Sequence, residues 1–326
     1  MIKFTLSLMR VVVAGVLMVL AASASAQQAY PSKPVRFITA FAAGGSTDII
    51  ARLIGRKLTE SWGQPVLVDN RPGGNTMVGT DAAAKSTPDG YTIILVGASH
   101  NLVPLLLKAP YDPIKDFAPV ATVAKSEFVL LLNPAVQANN LKEFIAYAKA
   151  RPGQLNYATP GAGGGQHLAH ELINLLAGIK TQHIPYKGAG PALTDLLGGQ
   201  VDMFLSTIVA AIPHVKSGKL KALAVSGEKR SSALPAVPTF DEAGLSGLRI
   251  RAVFGILAPA GTPKAIVNKL SAEVAKLLAQ PDFEEKLTGQ GLEPFISTPE
   301  QYAALLKEGL ASNARIIKNA NIKFEN

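Results

Sequence analysis

The chain has 326 residues, no cysteine, 17% charged residues and a formal net charge of +9. Such a length holds two lobes around a substantial core, and the low charge density excludes a disordered chain. No arginine-rich run or RNA-binding signature is present, which argues against nucleic acid; the modest positive balance serves solubility or steers an anionic small ligand.

In chain order, residues 1–26 read as a secretory signal peptide. Lys3 and Arg10 make a positive start, Val11 to Ala22 is an apolar run too short for an ordinary spanning helix, and Ala24-Ser25-Ala26 fits the small-residue cleavage rule. Losing those two cations lowers the formal charge from +9 to +7. Export without cysteine predicts a protein held by its core alone, most simply in a bacterial periplasm, with no thiol chemistry and no lipid-modified anchor.

Val35 to Leu58 reads as a strand, a glycine turn and a helix. Val35, Phe37, Ile38 and Ala40 form the apolar run of a buried parallel strand, Ala43-Gly44-Gly45 permits a sharp turn, and Ser46, Thr47 or Asp48 can cap the helix. Ile50, Leu53, Ile54 and Leu58 then recur at helical spacing. A strand feeding a helix this way leaves the first helical N–H groups pointing outward, a seat for an anion. Leu155 to Ile179 repeats the layout, with four glycines in the loop and an apolar face of Leu168, Leu172, Leu175, Leu176 and Ile179. Two such seats suggest a ligand charged at both ends and gripped by two lobes.

Between them, Pro65 to Val68, Tyr91 to Val96, Val120 to Ala124 and Phe128 to Leu132 read as strands, and Thr76 to Lys85 and Leu141 to Ala150 as helices. Ser99-His100-Asn101 follows a strand's carboxyl end, where polar side chains can face a ligand. Beyond the second unit, Val201 to Leu205, Ala222 to Ser226 and Phe254 to Ala258 are strand candidates, and long amphipathic helices start near Pro263 and Pro299. The alternation predicts α/β architecture with largely parallel sheets. The C-terminal helices are expected to return to the first lobe, making it discontinuous, with two crossings acting as a hinge.

Catalytic patterns are absent. The loop at Gly161 would need glycine where Gln166 stands to read G-x-G-x-x-G, and no Walker pattern follows any glycine cluster. His167, His170 and Glu171 share helical spacing without forming H-E-x-x-H, so helix-capping or solvent-facing histidines are expected, not a metal site. Ser99-His100 and Ser46-Thr47-Asp48 lie in no G-x-S-x-G elbow. The reading is binding without turnover: no catalytic residue, no metal and no cofactor.

The ordered set of Tyr30-Pro31-Ser32-Lys33-Pro34-Val35, Gly44-Gly45-Ser46-Thr47-Asp48, Asn70-Arg71-Pro72-Gly73, Pro88-Asp89-Gly90-Tyr91-Thr92, Pro185-Tyr186-Lys187-Gly188 and Leu257-Ala258-Pro259-Ala260-Gly261-Thr262-Pro263 resembles the Bug family, also called TctC, across essentially the whole mature chain. These are periplasmic receptors of tripartite tricarboxylate transporters. The resemblance implies a type II periplasmic-binding-protein fold, two α/β lobes joined by a hinge with a ligand cleft between them. Residues 27–127 and 252–326 would form lobe 1, and 128–251 lobe 2. It implies a monomer that closes on a small aliphatic or aromatic carboxylate and docks on transporter membrane subunits. Phe41, Ala43, Gly44, Gly45, Ser46, Thr47 and Asp48 would form one pincer, Asp48 ordering the ligand network. Thr159, Gly161, Gly163, Gly164, Gln166 and His167 would form the other, with Met77, Ser99, His100, Tyr186, Ser206 and Phe254 completing the site.

The chain departs from the family at Ala42 and Ala43, where prolines are usual, and at Gly164, Gly165 and Gln166, where hydroxyls or amides are usual. Val103 stands near where an asparagine is common. These changes point to a bulkier or less polar ligand than a tricarboxylate. A sensing receptor and a secreted enzyme on the same scaffold remain the alternatives.

Overall fold

The computed structural model describes residues 30–319; the signal-peptide assignment lies outside the described residues. Short parallel strands alternate with helices at both ends of the molecule. The first sheet has the order β2 (Val66–Asn70), β1 (Val35–Thr39), β3 (Thr92–Val96), β9 (Arg251–Pro259), β4 (Phe117–Leu132). β1 runs parallel to β2 and β3, whereas β9 is antiparallel to β3 and β4. β10 (Leu292–Pro294) pairs with the outer side of β4.

β4 belongs to two sheets. Its segment Phe117 to Glu127 pairs with β9, and Phe128 to Leu132 passes between β7 (Met203–Thr207) and β8 (Lys221–Val225). β5 (Asn156–Thr159) and β6 (Gln182–Pro185) extend this second sheet in parallel beyond β7. The apolar runs read separately at Val120 and Phe128 are thus one 16-residue strand. Lys125 to Glu127 interrupt the hydrophobicity but not the ladder, because their backbone pairs with Arg251 to Val253.

At the crossing, Phe128 N–H donates to Ser226 Oγ (2.9 Å) and Ser226 N–H donates back to the Phe128 carbonyl (2.9 Å). Ser226 Oγ in turn donates to the Ile250 carbonyl (2.6 Å). The two passages of chain are therefore tied to each other where the lobes meet.

Helices cover the sheets: α1 (Ser46–Trp62), α2 (Met77–Ala84), α3 (Ser99–Leu106), α4 (Leu141–Lys149), α5 (Gly165–Ala177), α6 (Ala189–Leu197), α7 (Ile208–Lys216), α8 (Lys264–Leu278), α9 (Pro281–Thr288) and α10 (Pro299–Asn319). α8 packs on α1 and β4, and α10 on α3 and β4, so the C-terminal helices do return to the first sheet. α1 buries Ile50, Ile54 and Leu58 against Val35 and Phe37, as its spacing predicts; Leu53 of the predicted face is only partly buried, and Ala51 joins the core.

α5 departs from expectation. Its buried face is His167, Ala169, His170, Ile173, Asn174 and Ala177, while Leu175 is 77% exposed and Leu176 41%. The histidines turn inward because Tyr157 of β5 and His183 of β6 offer flat ring surfaces beneath the helix. Ring centroids stand 3.7 Å apart for Tyr157 and His170, and 3.8 Å for His167 and His183. The expectation of capping or solvent-facing histidines is corrected accordingly: a neutral imidazole stacks as a flat, largely apolar body.

Candidate functional site

The site grows from strand–turn–helix units whose helices begin at one crevice. After β1 the chain turns through Gly44, at φ 86°, a left-handed conformation that favours glycine, and α1 starts behind an extended Gly45. α5 starts behind Gly164, α6 behind Gly188, α3 behind Ala98 and α7 behind Thr207. At none of these five starts does a side chain cap the helix.

Residues from all five openings line one narrow cavity of about 40 Å³ between the lobes: Gly45, Ser46 and Thr47 of α1, Ala98 and Ser99 of α3, Gly165 and Gln166 of α5, Ala189 of α6, and Thr207 of α7. Phe41, Gly97, Phe128, Pro160, Ala252 and Phe254 complete its wall. A side chamber of about 10 Å³ shares Phe41, Ser99, Pro160 and Gln166 and adds Asn75, Thr76, Val103, Gly161, Ala162 and Gly164. No Lys, Arg, His, Asp or Glu side chain is among these lining residues.

The first N–H groups of a helix have no intrahelical partner and carry the positive end of its dipole. An anion placed here meets backbone N–H and hydroxyl donors without a fixed cation. Two wider grooves, of about 300 and 390 Å³, lie elsewhere, one lined by Lys57, Glu60, Glu273 and Lys276 and one by Lys125, Glu127, Arg251 and Glu293. Their mixed charges and lack of converging helix starts make them poorer seats for a small anion.

The lobes touch across the cavity. Ala42 N–H donates to the Lys187 carbonyl (2.9 Å), and Ala162 N–H donates to Asn75 Oδ1 (3.0 Å). Asn75 holds a left-handed conformation (φ 50°), which asparagine tolerates, and so aims its amide at the opposite lobe. Gly190 packs so closely on the first loop that a methyl there would lie 1.9 Å from the Ala43 carbonyl oxygen.

Several candidate residues support the wall from behind. Asp48 is buried; it accepts from Gly44 N–H (3.1 Å) and pairs with Arg52 (2.9 Å). Burial pushes its carboxyl up, but the Arg52 hydrogen bond, the Gly44 N–H, the Asn70 amide and the Arg52 charge outweigh this and hold it below the usual carboxylate range. Asp48 thus shapes the glycine turn from inside. Asp48→Ala is expected to lower both ligand affinity and ligand-free stability, the latter by about 1–3 kcal/mol, while Asp48→Asn retains an acceptor for Gly44 and falls between. Urea unfolding of the three proteins checks the order.

Thr159 Oγ1 donates to the Gly161 carbonyl (3.1 Å) and stands 2.6 Å from His183 Nε2, while Gly163 N–H donates to His167 Nδ1 (3.1 Å). The second loop therefore rests on the ring stack. Burial pushes His167 and His183 down to about 4; for fully buried His170, burial and the neighbouring His183 and His167 push it to about 3. These imidazoles are neutral at physiological pH. His100 faces away from the cavity, with Nε2 2.8 Å from the Pro113 carbonyl, and burial brings it to about 4 despite that bond.

Of the other candidates, Met77 packs into the core, Tyr186 donates to Asp195 (2.7 Å), and Ser206 donates to the Thr207 carbonyl (3.1 Å). Ala43, Gly44, Gly163, Thr159 and His167 stand behind the wall, whereas Phe41, Gly45, Ser46, Thr47, Ser99, Gly161, Gly164, Gln166 and Phe254 line it. Asn75, Phe128 and Thr207 were not singled out from the sequence. Asn75 follows Gly73-Gly74 beyond β2's carboxyl end, a signal that was available. Among the described residues, no group of three or more His, Asp or Glu side chains is arranged to hold a metal ion.

The overall fold recurs in known proteins. The chain is 38% identical to Protein BugT of Bordetella pertussis over 91% of this chain and 92% of that one. The structure of the periplasmic binding protein BugD superposes with a TM-score of 0.86 at 35% identity, covering 91% of this chain and all of that one. MatC from Rhodopseudomonas palustris, solved with bound malate, gives a TM-score of 0.82 at 34% identity, covering 88% and 100%. The sequence profile of the tripartite tricarboxylate transporter family receptor, TctC, matches residues 50–322. With its two lobes and its crevice of helix starts, the chain belongs to the TctC family of solute-binding receptors.

Proposed function

We propose that the protein captures a small carboxylate between its lobes in the periplasm and delivers it to the membrane subunits of a tripartite tricarboxylate transporter. The observation that carries this reading is the convergence of five uncapped helix starts on one cavity with no charged side chain in its wall. Such a seat holds a carboxylate by backbone and hydroxyl donors. Malate bound to MatC supports the same ligand chemistry.

The lobes divide at the β4 and β9 crossings, with residues 30–127 and 252–319 on one side and 128–251 on the other. Ligand shifts the lobes towards the closed arrangement by contacting both pincers at once. Charge-assisted hydrogen bonds contribute about 1.5–3 kcal/mol each, so four gross about 6–12 before ordering costs, against about 8 for micromolar affinity.

A thermal-shift screen of the protein lacking residues 1–26, against mono-, di- and tricarboxylates and acidic amino acids, tests this. At a hundredfold excess over Kd a true ligand stabilises by about 2.7 kcal/mol, a shift of several degrees. Absence of any shift, in protein unfolded and refolded to remove bound material, sinks the carboxylate assignment.

A further inference from the structure

The cavity is chemically lopsided. The helix-start side presents Ser46, Thr47, Ser99 and Gln166. Where β4, β7 and β9 run together at the crossing, the wall is Phe128, Ala252 and Phe254, beside the Thr207 start of α7. One polar side chain stands in that apolar corner. Thr207 lies opposite Phe128 in the β4–β7 ladder, is 2% exposed, does not cap α7, and its hydroxyl has no hydrogen-bond partner among the described residues. The first residues of α7 itself, Ile208 and Ala210, are buried in the core behind it. A buried hydroxyl left unpaired is costly, so a partner arriving with the ligand accounts for it.

Resting on the carboxylate reading above, we infer that this corner receives the uncharged end of a monocarboxylic acid: a flat apolar body seated against Phe128 and Phe254, with one hydroxyl or carbonyl oxygen meeting Thr207 Oγ1. A second carboxylate in this corner would leave water for two phenylalanine rings and a single hydroxyl, with no cation in the wall. A flat ring against aromatic walls keeps its burial gain and needs only one hydrogen bond.

Titration calorimetry with benzoate, 4-hydroxybenzoate, adipate and malate, on the parent and on Thr207→Val, tests the inference. The expected result is that 4-hydroxybenzoate binds at least tenfold tighter than either diacid. Thr207→Val should weaken 4-hydroxybenzoate about tenfold, the loss of one net hydrogen bond, and change benzoate less than twofold. Equal or tighter binding of adipate or malate overturns the uncharged-end assignment and leaves the carboxylate reading standing. Equal weakening of benzoate and 4-hydroxybenzoate in the variant shows Thr207 to be structural and overturns it too. Binding of none of the four acids overturns it together with the carboxylate reading. Should the variant not fold, the ranking of the acids on the parent decides.

Discussion

Gly190→Ala is expected to abolish ligand capture while leaving the ligand-free protein at least as stable as the parent. In this structure the added methyl would lie 1.9 Å from the backbone oxygen of Ala43. No side-chain rotation relieves that clash, so the lobes must stand apart, and the Ala42–Lys187 and Asn75–Ala162 contacts part with them. With the loops apart, the Ala43 contact no longer opposes the change. Gly190 lies inside α6 and is not among the glycines with positive φ. Alanine is favoured over glycine in helices by up to about 1 kcal/mol. A ligand held by one pincer forfeits about half its charge-assisted hydrogen bonds, roughly 3–6 kcal/mol, or more than a hundredfold in Kd. Calorimetric Kd values and ligand-free melting curves for parent and variant measure both halves. An unchanged Kd would show that the binding form is not the one with these loops in contact.

Acid should weaken the protein well before its carboxylates titrate. His100 and His170 are fully buried and neutral, with pKa values pushed to about 4 and about 3 from an ordinary 6.5. Between pH 6.5 and about 4 the unfolded chain therefore binds protons that the folded chain refuses, and stability falls as pH falls through that window. Each such group contributes about 1.4 kcal/mol per pH unit, so the pair removes about 3 per unit, against a typical total of 5–15. Buried His167 and half-buried His183 add to the slope. Asp48 acts lower: its depressed pKa contributes stability above the unfolded value that is lost only as pH falls through the folded one. Urea midpoints at pH 7, 6, 5 and 4.5 test this directly, and a His100→Gln, His170→Gln double variant should show a flatter decline. A flat midpoint in the parent from pH 6.5 to 5 would refute the buried-neutral assignment.

Much of the site could be read from sequence because its donors come from local strand–glycine–helix units. Val35 to Leu58 carries its strand, its turn and its helix face within a few turns of chain, and all three form as read. Leu155 to Ile179 forms the same unit with its helix rotated: His170 and Asn174 face inward, and Leu175 outward. Hydrophobicity alone ranks leucine for the core above histidine. That ranking fails where Tyr157 of the unit's own strand and His183 of the next one supply stacking faces beneath the helix. The apolar corner was harder still. Phe128, Thr207 and Phe254 meet only through the pairing of β4 with β7 and β9, a register that no local pattern discloses. α7 was overlooked because Ile208 to Ile212 is apolar on every face and lacks amphipathic periodicity, being buried all round.

The sharing of β4 between both sheets has a mechanical consequence. A joint made of loose linkers lets two bodies swing freely, but here the fulcrum is one unbroken ribbon, laddered on both sides and pinned by Ser226. On the opening proposed above, that ribbon would have to twist, and its ladder would resist the motion. Phe128 sits on that ribbon, whereas Asn75 and Gly190 meet the opposite loops across the cavity. On the proposed closure, the fit of a ligand against Phe128 would therefore bear on how closely those loops meet.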